Sequence, residues 1–256
     1  MLKKRYGQHF LSDPNILRRI VEFTNVGSSD TVVEIGPGGG SLTKELAVRA
    51  KHVIAIEIDS DLIEPLRQHA PGNVEIIHGD ALEMDLTKLT SGSFHLVGNL
   101  PYNVATPLFK RFIQFRSKIL DVTVMIQKEV AERIVAQPDD DAYGPLSVLI
   151  QYYSDTKWGF TVSPGAFRPK PKVDSAVIRL QWRQNVQDAT PFTDFVHTAF
   201  GSRRKKLINN LIQMFPHENR DQLTNHITRA GIPTDARPEN LSVTEFHRLY
   251  NQICRH

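Results

Sequence analysis

The sequence predicts an α/β fold: a parallel sheet with helices on both faces, followed by a small all-helical C-terminal domain. Through the first two-thirds of the 256 residues, short β-branched runs alternate with helical periods, the pattern of βαβ units. Beyond about residue 183 only helical periods remain. Charge divides at nearly the same place. Up to residue 180 there are 21 basic and 21 acidic residues; beyond it there are 10 and 7, with five of the ten histidines. A neutral front with a basic tail suits a catalytic domain joined to a module that meets a polyanion.

The elements follow in order. Asp13-Pro14 caps an amphipathic helix carrying Ile16, Leu17, Ile20, Val21 and Phe23. Residues 31–35 are a first strand, followed by a glycine-rich turn and a helix over 41–50. A strand over 52–57 and a helix over 60–69 come next, then strands over 74–77, 94–97 and 120–126, the last leading into a helix over 127–136. The polar stretch 185–191 reads as a linker. Helical periods then cover 192–200, 203–215, 218–230 and 243–254, broken by Gly201, Pro216, Gly231 and Pro233. The expected domains are 1–183 and 184–256.

Composition excludes several classes. The single Cys254 leaves no intrachain disulfide framework and no cysteine-rich zinc site, and no metal site is expected. No run of about 18 apolar residues exists to span a membrane. The basic N-terminus lacks the apolar segment of a secretory signal, so a reducing, cytoplasmic setting is expected.

The chemistry concentrates at predicted strand ends. Glu34-Ile35-Gly36-Pro37-Gly38-Gly39-Gly40 follows a strand and opens a helix, where glycines let backbone approach a ligand. The dinucleotide pattern G-x-G-x-x-G needs glycine at 41, where Ser41 stands, and no G-K-[ST] is present. Glu57 ends the second strand, where a carboxylate accepts both hydroxyls of a ribose; Asp80 ends the third, within reach of an adenine amino group. This row of acids disfavours a pyrophosphate and favours a cationic ligand such as the sulfonium of S-adenosyl-L-methionine. After the fourth strand, Asn99-Leu100-Pro101-Tyr102 offers carbonyl acceptors and a flat ring, a combination suited to an exocyclic adenine amine.

Glu34–Gly40, Glu57, Asp80 and the Asn99–Tyr102 turn together resemble the S-adenosylmethionine-dependent adenine-N6 methyltransferases. The segments 2–11, 164–177 and 200–207 resemble motifs of the ribosomal RNA adenine dimethylases, and of the bacterial small-subunit type in particular, over residues 3 to 250. The resemblance implies a Rossmann-like methyltransferase sheet plus a helical RNA-recognition domain, with S-adenosyl-L-methionine as cofactor. It implies dimethylation of two adjacent adenosines near the 3′ end of small-subunit ribosomal RNA. It assigns His9, Leu11, Gly36, Gly38, Glu57, Asp80 and Asn99 to the cofactor. Asn99, Leu100 and Pro101 go to the target amine, and Tyr102 and Phe167 to stacking on the flipped base. Lys170, Lys172, Arg203, Arg204, Lys205 and Lys206 are the expected RNA contacts. The expected partner is ribosomal RNA within an immature 30S particle, bound by a monomer with no membrane association. A large-subunit RNA dimethylase, a non-catalytic RNA-binding protein on the same fold and a nicotinamide oxidoreductase are the competing readings.

Overall fold

The computed structural model describes residues 9–101, 104–184, 186, 190–202 and 205–254. Contacts divide the chain into two compact units, one of residues 1–131 with 155–182, the other of 132–154 with 183–256.

In the first unit, β1 (Phe10–Leu11) leads into α1 (Pro14–Phe23). The α1 start is set as its sequence predicts: Pro14 occupies the first turn, and Asp13 Oδ1 accepts from the N–H groups of Asn15 (2.9 Å) and Ile16 (3.3 Å). There follow β2 (Thr31–Ile35), α2 (Ser41–Arg49), β3 (His52–Glu57), α3 (Ser60–His69), β4 (Val74–His78), β5 (Phe94–Asn99), α4 (Ala105–Gln114) and β6 (Ile119–Gln127). The chain continues through α5 (Lys128–Val135), in which the division between the units falls, and α6 (Pro145–Tyr153) to β7 (Ser154–Val162), β8 (Phe167–Arg168) and β9 (Ser175–Trp182).

Among the described residues the main sheet has seven strands in the order β4-β3-β2-β5-β6-β9-β7, and β1 pairs antiparallel with β8. The run β4-β3-β2-β5-β6 is parallel; β9 joins β6 antiparallel, Gln127 facing Ser175 and Thr123 facing Arg179. The sheet is therefore mixed where a parallel one was expected. Strand order reverses between β2 and β5, so a crevice opens beyond their carboxyl ends. Leu17, Ile20 and Val21 of α1 and Leu42 and Leu46 of α2 pack over Val32 and Val53, fixing the strands beneath that crevice.

The second unit contains α6, α7 (Thr190–Ala199), α8 (Leu207–Met214), α9 (Arg220–Arg229) and α10 (Val243–Cys254). The expected break at 183 coincides with one edge of this unit, but residues 132–154 cluster with the helices rather than with the sheet. The reason is α6, whose residues Ser147 to Tyr153 are all buried and which packs on α7 and α10. Tyr152 lies 4.7 Å from Phe192 and 5.2 Å from His247, ring centre to ring centre, and Tyr143 Oη donates to the Leu241 carbonyl at 2.7 Å. A reciprocal cap starts α9: Asn219 Oδ1 accepts from Gln222 N, and Gln222 Oε1 from Asn219 N.

Candidate active site

The glycine turn takes the form its composition allows. Gly36, Gly38 and Gly40 have φ of 71°, 56° and 78°, a left-handed backbone that side-chain-bearing residues adopt only at a cost. Gly36 N–H donates to the Ile56 carbonyl at 3.0 Å, anchoring the turn to β3. Glu57, only 3% exposed, completes the anchor: one carboxyl oxygen accepts from Gly38 N–H (3.0 Å), the other from Asp59 N–H (2.9 Å). Burial pushes the Glu57 carboxyl above its usual range, and the N–H groups of Asp59, Gly38 and Ile58 pull back only part of that shift.

Beside it, Glu34 is 1% exposed. Burial raises its pKa to about 7; the Thr43 hydroxyl opposes the shift and the neighbouring Glu57 charge adds to it. Glu34 Oε2 and Thr43 Oγ1 are buried with no hydrogen-bond partner. An unpaired polar atom in a protein interior carries a cost, and such atoms concentrate where a ligand completes the bonding.

Asn99 ends β5 against the same turn: its backbone oxygen lies 3.6 Å from where a Gly36 Cβ would stand. The Asn99 amide nitrogen donates to the His9 carbonyl at 3.1 Å, an orientation that keeps Oδ1 as the acceptor end. Leu100 is buried, with its N–H on the Met125 carbonyl at 3.0 Å, so the turn after Asn99 is held by β6. Gly98 is required there, since a Cβ would come 2.7 Å from the Ile35 carbonyl oxygen. Leu11, Glu34, Gly36, Gly38 and Asn99 line one cavity, with Phe10, Pro37, Gly39, Ser41 and Leu42. Among the described residues its lining holds one carboxyl and no basic side chain. The Phe10 ring lies 2.8 Å from the position of a Gly38 Cβ, so it packs directly on the turn and only glycine fits beneath it.

A model of the family described as ribosomal RNA adenine dimethylase matches residues 1–254. The chain belongs to the ribosomal RNA adenine dimethylase family. It is 44% identical to the ribosomal RNA small subunit methyltransferase A of Clostridium botulinum (strain Kyoto / Type A2), over 98% of this chain and 93% of that protein. The protein of the same name from Anoxybacillus flavithermus is 41% identical, over 98% and 90%. The crystal structure of a dimethyladenosine transferase from Plasmodium falciparum superposes with a TM-score of 0.84 at 26% identity, covering 95% of this chain and 98% of that one. The 23S rRNA methyltransferase ErmE superposes with 0.73 at 26% identity, covering 95% and 99%.

The remaining expected residues of this dimethylase fall variously. Asp80 follows β4, its Oδ1 accepting from Leu82 N–H at 2.8 Å, and Gly79 N–H on the Glu57 carbonyl (2.9 Å) brings this strand end beside that of β3. The His9 ring bonds the Pro169 carbonyl at 2.7 Å; its backbone, rather than its imidazole, reaches Asn99. Phe167 departs from expectation. It is 1% exposed within the core that holds Leu11, Met125 and Val177, so its ring offers no open face for a base unless that packing parts. Pro101 is half-buried after β5, and Tyr102 lies outside the described residues. Lys170 and Lys172 are exposed between β8 and β9; in the second unit Lys205 and Lys206 are exposed at the start of α8, while Arg203 and Arg204 lie outside the described residues. Sequence reasoning passed over Glu34 as a site residue, as well as Thr43 and Phe10. The glutamate opening the glycine-rich motif was the available signal.

Proposed function

We propose that this dimethylase transfers methyl groups from S-adenosyl-L-methionine to the N6 amines of two adjacent adenosines in a 3′-terminal hairpin loop of small-subunit (16S) ribosomal RNA, during ribosome biogenesis. The observation that carries the reading is the cavity joining the left-handed glycine turn, the buried Glu34 carboxyl and Asn99. The 44% identity to a protein named for the small-subunit reaction supports the choice of RNA.

The residues present fit the cofactor. The glycines leave room where a Cβ would project, and buried carboxyls without a basic partner suit a sulfonium and an ammonium better than a phosphate. Glu57 and Asp80 stand where a ribose and an adenine amine would be held, and Leu11, Gly36 and Gly38 where the methionine end would lie. S-adenosyl-L-methionine supplies a methyl group on a positively charged sulfur. The chain supplies position: Asn99 Oδ1 and the Leu100 carbonyl accept the hydrogens of the target amine and turn its lone pair toward the methyl carbon. As the carbon–nitrogen bond forms, the carbon–sulfur bond breaks to leave a neutral thioether and the nitrogen loses one proton to water; the one hydrogen left on the amine then meets one of the two acceptors in the second transfer. The aromatic ring expected to stack the base is that of Tyr102, with Phe167 joining only if its core packing opens.

The proposed substrate is RNA within an immature 30S particle, met in the cytoplasm by a monomer. Lys170, Lys172 and the run Arg203–Lys206 take phosphates. Among the described residues no helix is long and apolar enough to cross a membrane. Mass spectrometry of ribosomal RNA incubated with the protein and methyl-labelled cofactor tests the proposal. N6,N6-dimethyladenosine at two neighbouring positions of small-subunit RNA is expected; label confined to large-subunit RNA, or absent from both, would overturn it.

A further inference from the structure

On the flank of the first unit, α1, β7 and β9 carry a cluster that the cleft does not use. Phe23 and Phe160 meet edge to face, with ring centres 6.4 Å apart at 75°. Three cations lie on these rings. The Arg19 guanidinium is 4.0 Å from the centre of Phe160, and Arg179 and the Lys157 ammonium are 5.4 and 5.8 Å from that of Phe23. Arg179 is further tied by bonds to the Phe23 carbonyl (3.1 Å) and Asn25 Oδ1 (2.6 Å). Gly159 makes the arrangement possible, since a Cβ there would meet the Phe23 ring and the Val177 carbonyl oxygen at 2.9 Å. Among the described residues none of the three cations forms an ion pair with a carboxylate, although Glu22 and Asp155 stand on the same elements.

We infer that Arg19, Lys157 and Arg179 form a phosphate-binding surface for a stretch of ribosomal RNA flanking the target hairpin, outside the cleft. This rests on the ribosomal RNA substrate proposed above. A ring face holds a cation in place without neutralising it, so the positive charge stays available at a fixed position and little side-chain entropy is lost when a phosphate arrives. Such contacts position RNA and carry no sequence information. The location is suited to a strand leaving the cleft. Asn99 pairs with Met125 of β6, so β9, antiparallel to β6, begins at the cleft edge with Lys170 and Lys172 just before it. Arg179 lies four residues farther along, about 13 Å down the strand. The ring faces carry cations, so phosphates rather than stacked bases are its ligands.

The test compares wild type with the double variant Arg19→Glu/Lys157→Glu and the charge-preserving double variant Arg19→Lys/Lys157→Arg. Each is titrated with protein-free small-subunit ribosomal RNA over a salt series, with S-adenosyl-L-methionine affinity as a check that the cleft is intact. Removing two phosphate contacts should weaken RNA binding at least tenfold and lower the slope of log K against log salt by about 1.4. Cofactor affinity should stay unchanged, and the charge-preserving variant should bind RNA as wild type does. Unchanged RNA affinity and slope in the glutamate variant would overturn the inference. Weaker binding to intact 30S particles with unchanged binding to bare RNA would overturn it in favour of an acidic protein partner. The proposed methyl transfer is judged separately, by whether the wild-type protein methylates small-subunit RNA in immature 30S particles.

Discussion

At the amino ends of the central strands, two aspartates share a histidine; at the carboxyl ends of the same sheet, Glu57 accepts from two backbone N–H groups and Glu34 lies against the Thr43 hydroxyl. His95, 6% exposed at the start of β5, places Nδ1 2.9 Å from Asp121 Oδ1 and Nε2 3.4 Å from Asp30 Oδ2. Burial works against the charged imidazole, yet the bond and charge of Asp121, with those of Asp30, outweigh it and hold the His95 pKa above its ordinary value. Glu34 and Glu57 are buried as deeply with no cation beside them among the described residues, and both carboxyls are pushed upward. Among the described residues the first end pairs its charges within the fold and the second does not. Carboxyls pushed upward by burial are common at binding sites, which makes the carboxyl end the candidate site.

The largest effect expected is at the carboxyl end. Asn99→Ala should lower the methyl-transfer rate by about 10²–10³, the scale of losing an aligned polar group at a reacting centre, while cofactor affinity changes only a few-fold. Single-turnover assays set against calorimetry would show this, and equal losses in both would remove Asn99 from the target amine. At the amino end, His95→Ala strands the buried Asp121 carboxylate and the partly exposed Asp30 and should cost about 3 kcal/mol in denaturant unfolding at pH 7, with methylation retained where the protein stays folded. A variant as stable as wild type would break the comparison from that side.

The pH dependences sharpen it. His95, with its pKa raised by folding, contributes stability that is complete below the unfolded value and is lost as pH rises through the folded one. Glu34 keeps its proton in the folded protein up to about 7, so folding is increasingly penalised as pH rises from the unfolded value of about 4.5 toward 7. Glu34→Gln should therefore stabilise the free protein at pH 8 by about 1–3 kcal/mol and weaken cofactor binding roughly tenfold; the same swap should not disturb the His95 end. Glu57→Ala should weaken cofactor binding by about tenfold, the scale of one lost hydrogen-bonded charge contact, before it affects transfer from bound cofactor. Unaltered affinity would remove Glu57 from the ribose.

Much of this was legible in residue order. The alternation of strand and helix, the glycines after β2, and the acids at the ends of β3 and β4 are local signals, and each lies where its spacing predicts. What escaped has tertiary causes. Residues 145–153 are apolar apart from Ser147 and Gln151 and show no single polar face, and only packing against α7 and α10 assigns them to the helical unit. β9 turns the sheet antiparallel through its pairing with β6, which no periodicity in residues 175–182 announces. Glu34 opens the glycine-rich motif, but its burial inside β2 is not written in Thr31–Ile35 itself. The strand lies between β3 and β5 and is covered on both faces, so the carboxyl is interior. Phe167 reads as an aromatic beside a catalytic turn, and pairing of β8 with β1 sinks it into the core instead.

The contrast between the two ends comes down to a proton count. Titrating the protein with S-adenosyl-L-methionine at pH 6, in two buffers of different ionisation heat, measures the protons released on binding. A net release is expected, because a cation entering the cavity favours the ionised Glu34 carboxyl, and the release should shrink in Glu34→Gln. Binding heats independent of buffer, or a release unchanged by Glu34→Gln, would contradict a carboxyl end held unpaired for a cationic methyl donor.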